Sequence, residues 1–365
     1  MARHRGHGVS TIEYPTGMNQ NGDPSQAWIK VKPDGRVDVF TGTVDIGEGA
    51  KTVQAQIVAD TLGVPYDWVT IDNTNTDSSP LCTGTFASRG TFIGGNAVRY
   101  AAQKARERVV DIAGRLLEIS PDDLELADGR VAPRGVPAKE ISVSDVAAAA
   151  TWQYGELITG TGAAFKPFVD VDDDTGSVEV EPHSAISYAA CVADVEVDDE
   201  TGEVTVLRLA QVYDVGRAIN PLLVEGQIEG GAMMGLGLGL LEASYPHYPS
   251  TDHRGDQFGA YLAPAMTDLP EFDDVILESP SADGPFGAKA IGEMANNAQP
   301  SAIIAAIHDA VGVWVTEGPA TPERVLTALD ERREPRREGK RVIFDEDLSV
   351  TAVAAAGAQG FRAPD

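Results

Sequence analysis

One carboxylate is isolated in the segment 284–312, GPFGAKAIGEMANNAQPSAIIAAIHDAVG. Between Lys289 and His308 the only ionisable side chain is Glu293, although the chain contains 56 acidic residues. A carboxylate that loses hydration among apolar and amide groups has a raised pKa, and such a group is an effective general base. The sequence therefore predicts Glu293 as a candidate base. The open alternative is a loop carboxylate that caps a helix or pairs with Lys289.

The residues around Glu293 indicate a loop that leads into a helix. Gly292 directly precedes it and permits a left-handed backbone or a close approach to another group. Pro300 and Ser301 then precede the apolar run 302–311, which is typical of a helix that begins after a proline. Glu293 is therefore expected just before this helix.

Three other segments combine glycines with a polar side chain. The segment 41–49, TGTVDIGEG, ends where a helix is predicted to begin, and helix N-termini favour anions. The segment 83–91, TGTFASRGT, offers hydroxyls, backbone donors and Arg89, a set that suits a phosphate. The segment 220–237 places Gln227 among small and apolar residues. Each segment alone is typical of ordinary turns and caps, but together with Glu293 they favour a ligand site.

The composition limits the function classes. The net charge of −28 over 365 residues disfavours a nucleic acid or an anionic membrane as partner, and it suits either a salt-loving host or a very soluble protein. No apolar run approaches the length that spans a bilayer, and the first residues, MARHRGHG, lack the apolar stretch of a secretory signal. We therefore expect a cytoplasmic protein.

Metal-ligating and nucleophilic patterns are weak. The six histidines are scattered without ligand spacing, and Cys82 and Cys191 are too few for a zinc or iron–sulfur site, although a disulfide between them is open. A Ser-His-Asp triad is also open, but no GxSxG elbow supports one. No protein ligand to a metal is predicted.

The apolar pattern predicts an α+β fold of mixed sheets packed against helices. Residues 27–62 and 190–241 each show a strand hairpin followed by a glycine-rich, helix-like element, so the sequence indicates two related hairpin-plus-helix units. Further elements are expected as a strand at 68–71, a helix at 95–118, a surface loop at 169–182, a strand at 274–278 and a helix at 322–329.

The domain organisation is expected to have three parts. Residues 1–26 are predicted as an N-terminal extension. Residues 27–330 are predicted as the folded region, formed by two α+β subdomains with a break near 150–187. Residues 331–365 are predicted as a charged and then Ala/Gly-rich tail.

Five segments, in chain order, resemble motifs of the xanthine oxidase family of molybdenum hydroxylases. They are TGTVDIGEG (like GTxxxGQG), GTFASRGT (like GTxxSRST), DVGRAINPLLVEGQIEGG (like DxGxxxNPxxxxGQxxGG), YLAPAMTDLP (like YxxPxxxDxP) and GAKAIGE (like GxKGxGE). The likeness covers residues 27–329, which is most of the chain.

The resemblance implies a molybdenum–molybdopterin cofactor, in its cytosine dinucleotide form, and hydroxylation of an electron-poor carbon with water as the oxygen source. Glu293 matches the family's catalytic base, which removes a proton from the attacking oxygen. The positions that match cofactor-binding residues are Gly47, Glu48, Gly49, Phe86, Ala87, Ser88, Arg89, Gln227 and Gly292. Glu48 departs from the family's glutamine, and a carboxylate repels phosphates unless it is protonated or paired.

The resemblance reaches only the second half of the family's molybdenum-binding portion. It therefore implies a split enzyme, inactive alone, whose partners are a first-half molybdopterin subunit, a [2Fe-2S] ferredoxin-like subunit and an FAD subunit. The implied substrate is an N-heteroaromatic such as a purine or a nicotinate-like ring. One alternative is the same chemistry on an aldehyde or an aromatic thioester. Another is a non-catalytic scaffold that binds the cofactor.

Overall fold

The computed structural model describes residues 2–18, 22–166, 183–243 and 261–333, together with the single positions 170, 172, 174, 175 and 259. Mixed sheets pack against helices, which confirms the predicted α+β class. The predicted loop at 169–182 lies largely outside the described residues, as does the tail beyond residue 333.

The first unit is built on the predicted hairpin. Strands β2 (Ser25–Val31) and β3 (Val37–Thr41) pair antiparallel, and helix α1 (Ala50–Leu62) leads to β4 (Val69–Asp72), which lies parallel to β3. Strand β8 (Ile158–Ala164) pairs with the other side of β2. Alternate residues of β2 are buried, as expected for a sheet with one face on the core.

The second unit repeats this order. Strands β9 (Ala185–Asp198) and β10 (Val204–Asp214) form the hairpin, helix α4 (Pro221–Leu240) follows, and β11 (Glu271–Leu277) lies parallel to β10. The edge beside β9 is filled by β1 (Arg3–Thr16). Most of the segment expected to be an N-terminal extension is thus a strand of this sheet. The first half of β1, RHRGHG, is basic and glycine-containing, so the sequence did not predict a strand there.

Each unit has a second helix that lies directly on an edge strand through a glycine pair. Helix α2 (Gly95–Leu117) crosses β8 at Gly160 and Gly162, where an added Cβ would overlap carbonyl oxygens of the helix. Helix α5 (Ala298–Val311) crosses β1 at Gly6 and Gly8 in the same way. The same Gly-x-Gly spacing therefore sets the helix-to-strand distance in both units.

Smaller elements complete the chain. They are β5 (Leu124–Ala127), β6 (Arg130–Pro133), β7 (Ile141–Ser142), α3 (Val143–Ala149) and α6 (Pro322–Arg333). Strands β5 to β7 form a third, antiparallel sheet that the sequence analysis did not predict. The apolar core divides mainly into one cluster under each four-stranded sheet.

Several boundaries agree closely with the predictions. Helix α1 begins and ends where predicted, and Gly63 caps it in the left-handed conformation with φ 80°. Helix α5 begins before Pro300, which occupies its first turn, so the predicted start was about three residues late. Cys82 and Cys191 are both free thiols. No helix in the described part of the chain has the length and apolar character needed to cross a membrane.

Glycines of α4 allow it to pack closely on the segment that carries the candidate base. Residues Glu293–Asn296 form a 3-10 turn just before α5, and an added Cβ on Gly231 would overlap Ala295 of this turn. An added Cβ on Gly235 would lie 2.7 Å from Oε1 of Gln299 on α5. Small residues here therefore fix the position of the Glu293 turn.

We expect Gly231→Ala to lower the free energy of unfolding by about 1–3 kcal/mol, because the added methyl overpacks the contact with Ala295. Gly230→Ala is the matched control, since no atom lies within 4 Å of its added Cβ and alanine favours a helix by about 1 kcal/mol. Urea denaturation of both variants measures the difference. Equal stabilities would contradict this account of the packing.

Candidate functional site

The four predicted glycine-containing segments meet around one cavity of about 290 Å³. Its walls are formed by residues at or near the starts of α1, α2, α4 and α5, in the ranges 46–54, 85–91, 215–234 and 288–296. Among the predicted site residues, those that line it are Glu48, Phe86, Ser88, Arg89, Gln227, Gly292 and Glu293. Gly47, Gly49 and Ala87 lie on the same loops. The structure thus brings the predicted residues together.

Glu293 lies at the exposed mouth of the cavity and accepts hydrogen bonds from three groups. The Ala87 N–H donates to its Oε1 at 3.2 Å, and the Ser88 hydroxyl is 3.1 Å from its Oε2. The Tyr14 hydroxyl donates to the same Oε2. Ser88 Oγ also accepts the backbone N–H of Glu293 at 2.9 Å. The carboxylate is therefore exposed, unlike the buried group expected from its neighbours, but it is held in one orientation.

The loop that holds Glu293 has an unusual backbone. Ala87 and Ser88 both have positive φ, 48° and 50°, a conformation that is costly for residues with a Cβ and is concentrated at functional sites. The Ala87 carbonyl accepts a 2.9 Å hydrogen bond from the N–H of Gly17, just after β1. This strained turn aims the Ala87 N–H and the Ser88 hydroxyl at Glu293.

Tyr14 of β1 is a site residue that the sequence analysis missed. Burial and then its hydrogen bond with Glu293 raise the pKa of Tyr14 to about 12, so the hydroxyl remains a proton donor at neutral pH. Tyr14 and Glu293 are 279 positions apart in sequence. No local pattern marks such a contact, because it depends on the pairing of β1 with β9.

Arg89 is fully buried and uses its guanidinium within the protein. Its Nε lies 3.0 Å from Asp23 Oδ2, and the other nitrogens donate to the carbonyls of Asp23 and Gly84 and to Cys82 Sγ at 3.1 Å. Asp23 is fully buried as well. Arg89 therefore holds the loop that carries Ser88. Its predicted contact with a phosphate remains a prediction.

The start of α1 already has an anion supplied by the chain. Asp45 accepts the N–H groups of Gly47 at 2.9 Å, Gly49 at 3.4 Å and Lys51 at 3.0 Å. Burial alone would raise the pKa of Asp45, but these hydrogen bonds outweigh it and lower the pKa. The backbone donors predicted to bind a ligand anion are therefore bound to Asp45.

Glycines allow the loop before α1, residues 42–49 (the first loop), to reach the cavity. Gly47 and Gly49 have φ of 116° and 87°, which side-chain-bearing residues rarely adopt. An added Cβ on Gly49 would lie 2.6 Å from Cδ1 of Leu223, a cavity residue on α4. Of the two possibilities given for Gly292, the left-handed backbone is not adopted, since its φ is −47°, and an added Cβ would lie 3.4 Å from Ser88 Oγ.

Two polar side chains of the cavity wall have unsatisfied buried atoms. Glu48 Oε2 accepts the Ile46 N–H at 2.7 Å, but its Oε1 is buried and has no hydrogen-bond partner among the described residues. Gln54 is 1% exposed, and within the described ranges neither its Nε2 nor its Oε1 has a partner. Gln54 was not predicted from sequence. Buried polar groups without partners are costly, so both side chains indicate that a polar ligand completes this wall.

Helix α4 supplies the facing wall. Its first turn is capped by Asn220, whose side chain accepts the Leu223 N–H at 3.1 Å, and Gln227 lies two turns into the helix with its side chain half-buried at the cavity. Lys289 pairs with Asp214 at 2.7 Å rather than with Glu293. The alternative ion pair considered for Glu293 is therefore not present in the structure.

The arrangement fits a flat heterocycle with polar edges. Its cavity is mainly apolar, with convergent amide and carboxylate groups of Gln54, Glu48 and Gln227, as is usual for small-molecule and cofactor sites. Within the described residues, no group of three or more His, Cys, Asp or Glu is placed to hold a metal ion. The pterin part of a molybdopterin is a flat heterocycle with N–H and C=O edges, so these residues fit it.

Comparisons with known proteins agree with this fit. The sequence model of the molybdopterin cofactor-binding domain matches residues 1–270. The probable hypoxanthine oxidase of Escherichia coli K12 is 34% identical over 90% of this chain and 32% of its own length. The large subunit of nicotine 6-hydroxylase from Paenarthrobacter nicotinovorans is 33% identical over 83% of this chain and 36% of its own length.

A solved structure has the same fold. Quinoline 2-oxidoreductase from Pseudomonas putida superposes with a TM-score of 0.79 at 32% identity, over 90% of this chain and 42% of that chain. The chain thus spans about a third to two-fifths of the length of these relatives. Because the family match covers most of the chain and the cavity holds the matching residues, the chain belongs to the molybdenum hydroxylase family, as part of its molybdopterin-binding subunit.

Proposed function

We propose that this chain is the molybdenum-cofactor-binding part of a heteromeric hydroxylase that acts on an electron-poor carbon of an N-heteroaromatic ring, with water as the oxygen source. The observation that carries the proposal is the Glu293 carboxylate, held by the Ala87 N–H and by the Ser88 and Tyr14 hydroxyls at the mouth of a polar-edged cavity. A non-catalytic scaffold has no need for such an oriented base.

The reaction replaces a substrate C–H by C–OH and releases two protons and two electrons. When bound, the molybdenum cofactor supplies the two-electron acceptor for this chemistry. Glu293 takes the proton from the attacking oxygen, for which it must be ionised. Oε2 of Glu293 already accepts two hydroxyl donors, whereas Oε1 accepts one N–H. The free lone pair on Oε1 is therefore the place for the incoming proton.

The cavity residues have separate roles in holding the cofactor. Gln54 and Gln227 offer amide donors and acceptors to the pterin, and Glu48 Oε1 accepts one of its N–H groups. Since Glu48 and Asp45 are both acidic, the first loop would not hold the phosphates of the cofactor. Phe86 and Gly292 border the cavity, and Arg89 acts by holding the Ala87–Ser88 turn. We include the cytosine dinucleotide form in the proposal because the sequence motifs resemble enzymes that use it.

Partners complete the proposed enzyme. Relatives are more than twice as long as the chain, so further polypeptide is needed for their full activity. The proposal assigns this part to a first-half molybdopterin subunit and electron transfer to [2Fe-2S] and FAD subunits, in the cytoplasm. The names of these three relatives support the ring substrate, since hypoxanthine, nicotine and quinoline all contain aromatic nitrogen heterocycles. A substrate screen with an artificial electron acceptor separates this class from aldehydes and aromatic thioesters.

We expect Glu293→Gln in the purified complex to lower kcat by about a hundredfold or more, because the amide cannot accept the proton. Its molybdenum content should match that of the wild type. Glu271→Gln, an exposed carboxylate on β11, is the control and should leave kcat unchanged. Wild-type turnover by Glu293→Gln, measured per molybdenum, would exclude the assigned role.

Gln54→Leu tests the cavity wall. Leucine fills the buried position without a polar group, so the pterin loses a partner and the molybdenum content of the complex should fall several-fold. Elemental analysis by mass spectrometry measures this content. Gln103→Leu, on α2 and not among the residues that line the cavity, serves as the control. Unchanged molybdenum in Gln54→Leu would place the cofactor elsewhere.

The structural role of Arg89 is tested through its partner. Asp23→Asn leaves a buried guanidinium without its counter-charge and should lower the free energy of unfolding by about 3–5 kcal/mol. The control is Asp38→Asn, which breaks a partly exposed pair with Lys32 and should cost about 1 kcal/mol or less. Urea denaturation compares the two variants. Similar losses would show that the buried pair does not hold the loop.

A further inference from the structure

We propose that Tyr14 is a positioning residue that sets the basicity of Glu293, an inference that rests on the proposed function. Tyr14 lies on β1, outside every motif that indicated the site, and its hydroxyl donates to Glu293 Oε2. Ser88 donates to the same oxygen from the opposite unit of the fold. Oε2 of Glu293 thus accepts one hydroxyl from a strand of the second unit and one from a loop of the first unit.

The geometry makes Tyr14 a fixed donor. The Tyr14 side chain is half-buried, and β1 pairs with β9 along its whole length, from Arg3 to Thr16. The turn after β1 is joined to the Ala87 carbonyl through the Gly17 N–H at 2.9 Å. Because the pKa of Tyr14 lies at about 12, its hydroxyl keeps its proton over the working range of the enzyme.

Two charged groups near Glu293 are paired with other side chains, and the rest are not hydrogen-bonded to it within the described residues. Arg89 is paired with Asp23, and Lys289 is paired with Asp214. Nearer to Glu293 along the packed elements, the other charged side chains include Glu13 on β1, Glu48 on the first loop, Arg217 before α4, and Glu225 and Glu229 on α4. Arg3, His4, Arg5 and His7 lie at the opposite end of β1 from Tyr14, His308 and Asp309 lie at the C-terminal end of α5, and Asp45 is bound by backbone N–H groups of the first loop. None of these side chains appears among the hydrogen-bond partners of Glu293 within the described part of the chain. Tyr14 is the titratable group in direct contact with the carboxylate.

The sign of the effect follows from the donor. A hydrogen bond to the ionised carboxylate favours the charged form and lowers its pKa. Removing the Tyr14 hydroxyl should therefore make the ionised form of the Glu293 carboxylate less favourable. Since Glu293 must be ionised, the acid limb of the kcat/KM profile moves to higher pH, while the high-pH plateau stays within about threefold.

The test compares three forms of Tyr14 in the purified complex, with rates expressed per molybdenum. Tyr14→Phe should move the acid limb up by about one pH unit. Incorporation of 3-fluorotyrosine at position 14 keeps the size and strengthens the donor, so the limb should move down. Tyr188→Phe, an exposed tyrosine on β9, is the matched control and should leave the profile unchanged.

A second measurement does not depend on turnover. Carbon-13 NMR of glutamate side-chain carboxyls in the full chain, with Glu293 assigned through Glu293→Gln, should give a higher pKa for Glu293 in Tyr14→Phe than in the wild type. A plateau loss with an unmoved limb and an unmoved carboxyl titration would overturn the proposal and reduce Tyr14 to a packing residue. If Glu293→Gln is fully active while the NMR shift is present, the proposed function fails and the coupling of Tyr14 to Glu293 stands.

Discussion

The hydrogen bonds between the Glu293 carboxylate and the Ala87–Ser88 turn connect the two units of the fold at the cavity mouth. The turn belongs to the first unit, whereas Glu293 belongs to the second. Two consecutive residues with positive φ are unfavourable on their own, so the turn persists because its surroundings fix it. The buried Arg89–Asp23 ion pair and the hydrogen bond from the Gly17 N–H to the Ala87 carbonyl hold this turn in place.

The duplicated architecture explains why the motifs occur where they do. Each unit runs hairpin, helix, parallel strand, and each carries a second helix over an edge strand with a Gly-x-Gly pair. Residues at or just before the starts of the four long helices line the cavity. Helix starts combine exposed backbone donors with loops that vary freely, so they can supply a ligand site without disturbing the core.

Local sequence signals were sufficient for much of this structure. The helix at 50–62 combines regular apolar spacing with a C-terminal glycine, and both features act within a few residues of one another. Glu293 was also identified as a candidate base, because the lack of other ionisable side chains around it is visible within one segment. Residues of the motifs that resemble the family lie around one cavity, as expected if they hold a common ligand.

Features that depend on contacts between distant parts of the chain could not be predicted from local sequence. Tyr14 is invisible as a site residue until β1 is paired with β9, and the orphaned amide of Gln54 is visible only when its neighbours are in place. The buried contact of Arg89 with Asp23 could not be predicted from local sequence, because the two residues are 66 positions apart. Likewise, Asp45 satisfies the donors that seemed available to a ligand, a contact that a loop can form in only some of its conformations.

We propose that the cavity between the two units holds the molybdenum cofactor, with its metal next to Glu293. Anomalous diffraction at the molybdenum absorption edge, from crystals of the purified complex, tests this claim most directly. We expect a molybdenum peak beside the Glu293 carboxylate and electron density for the pterin against Gln54 and Gln227. A molybdenum peak outside the cavity would contradict this placement.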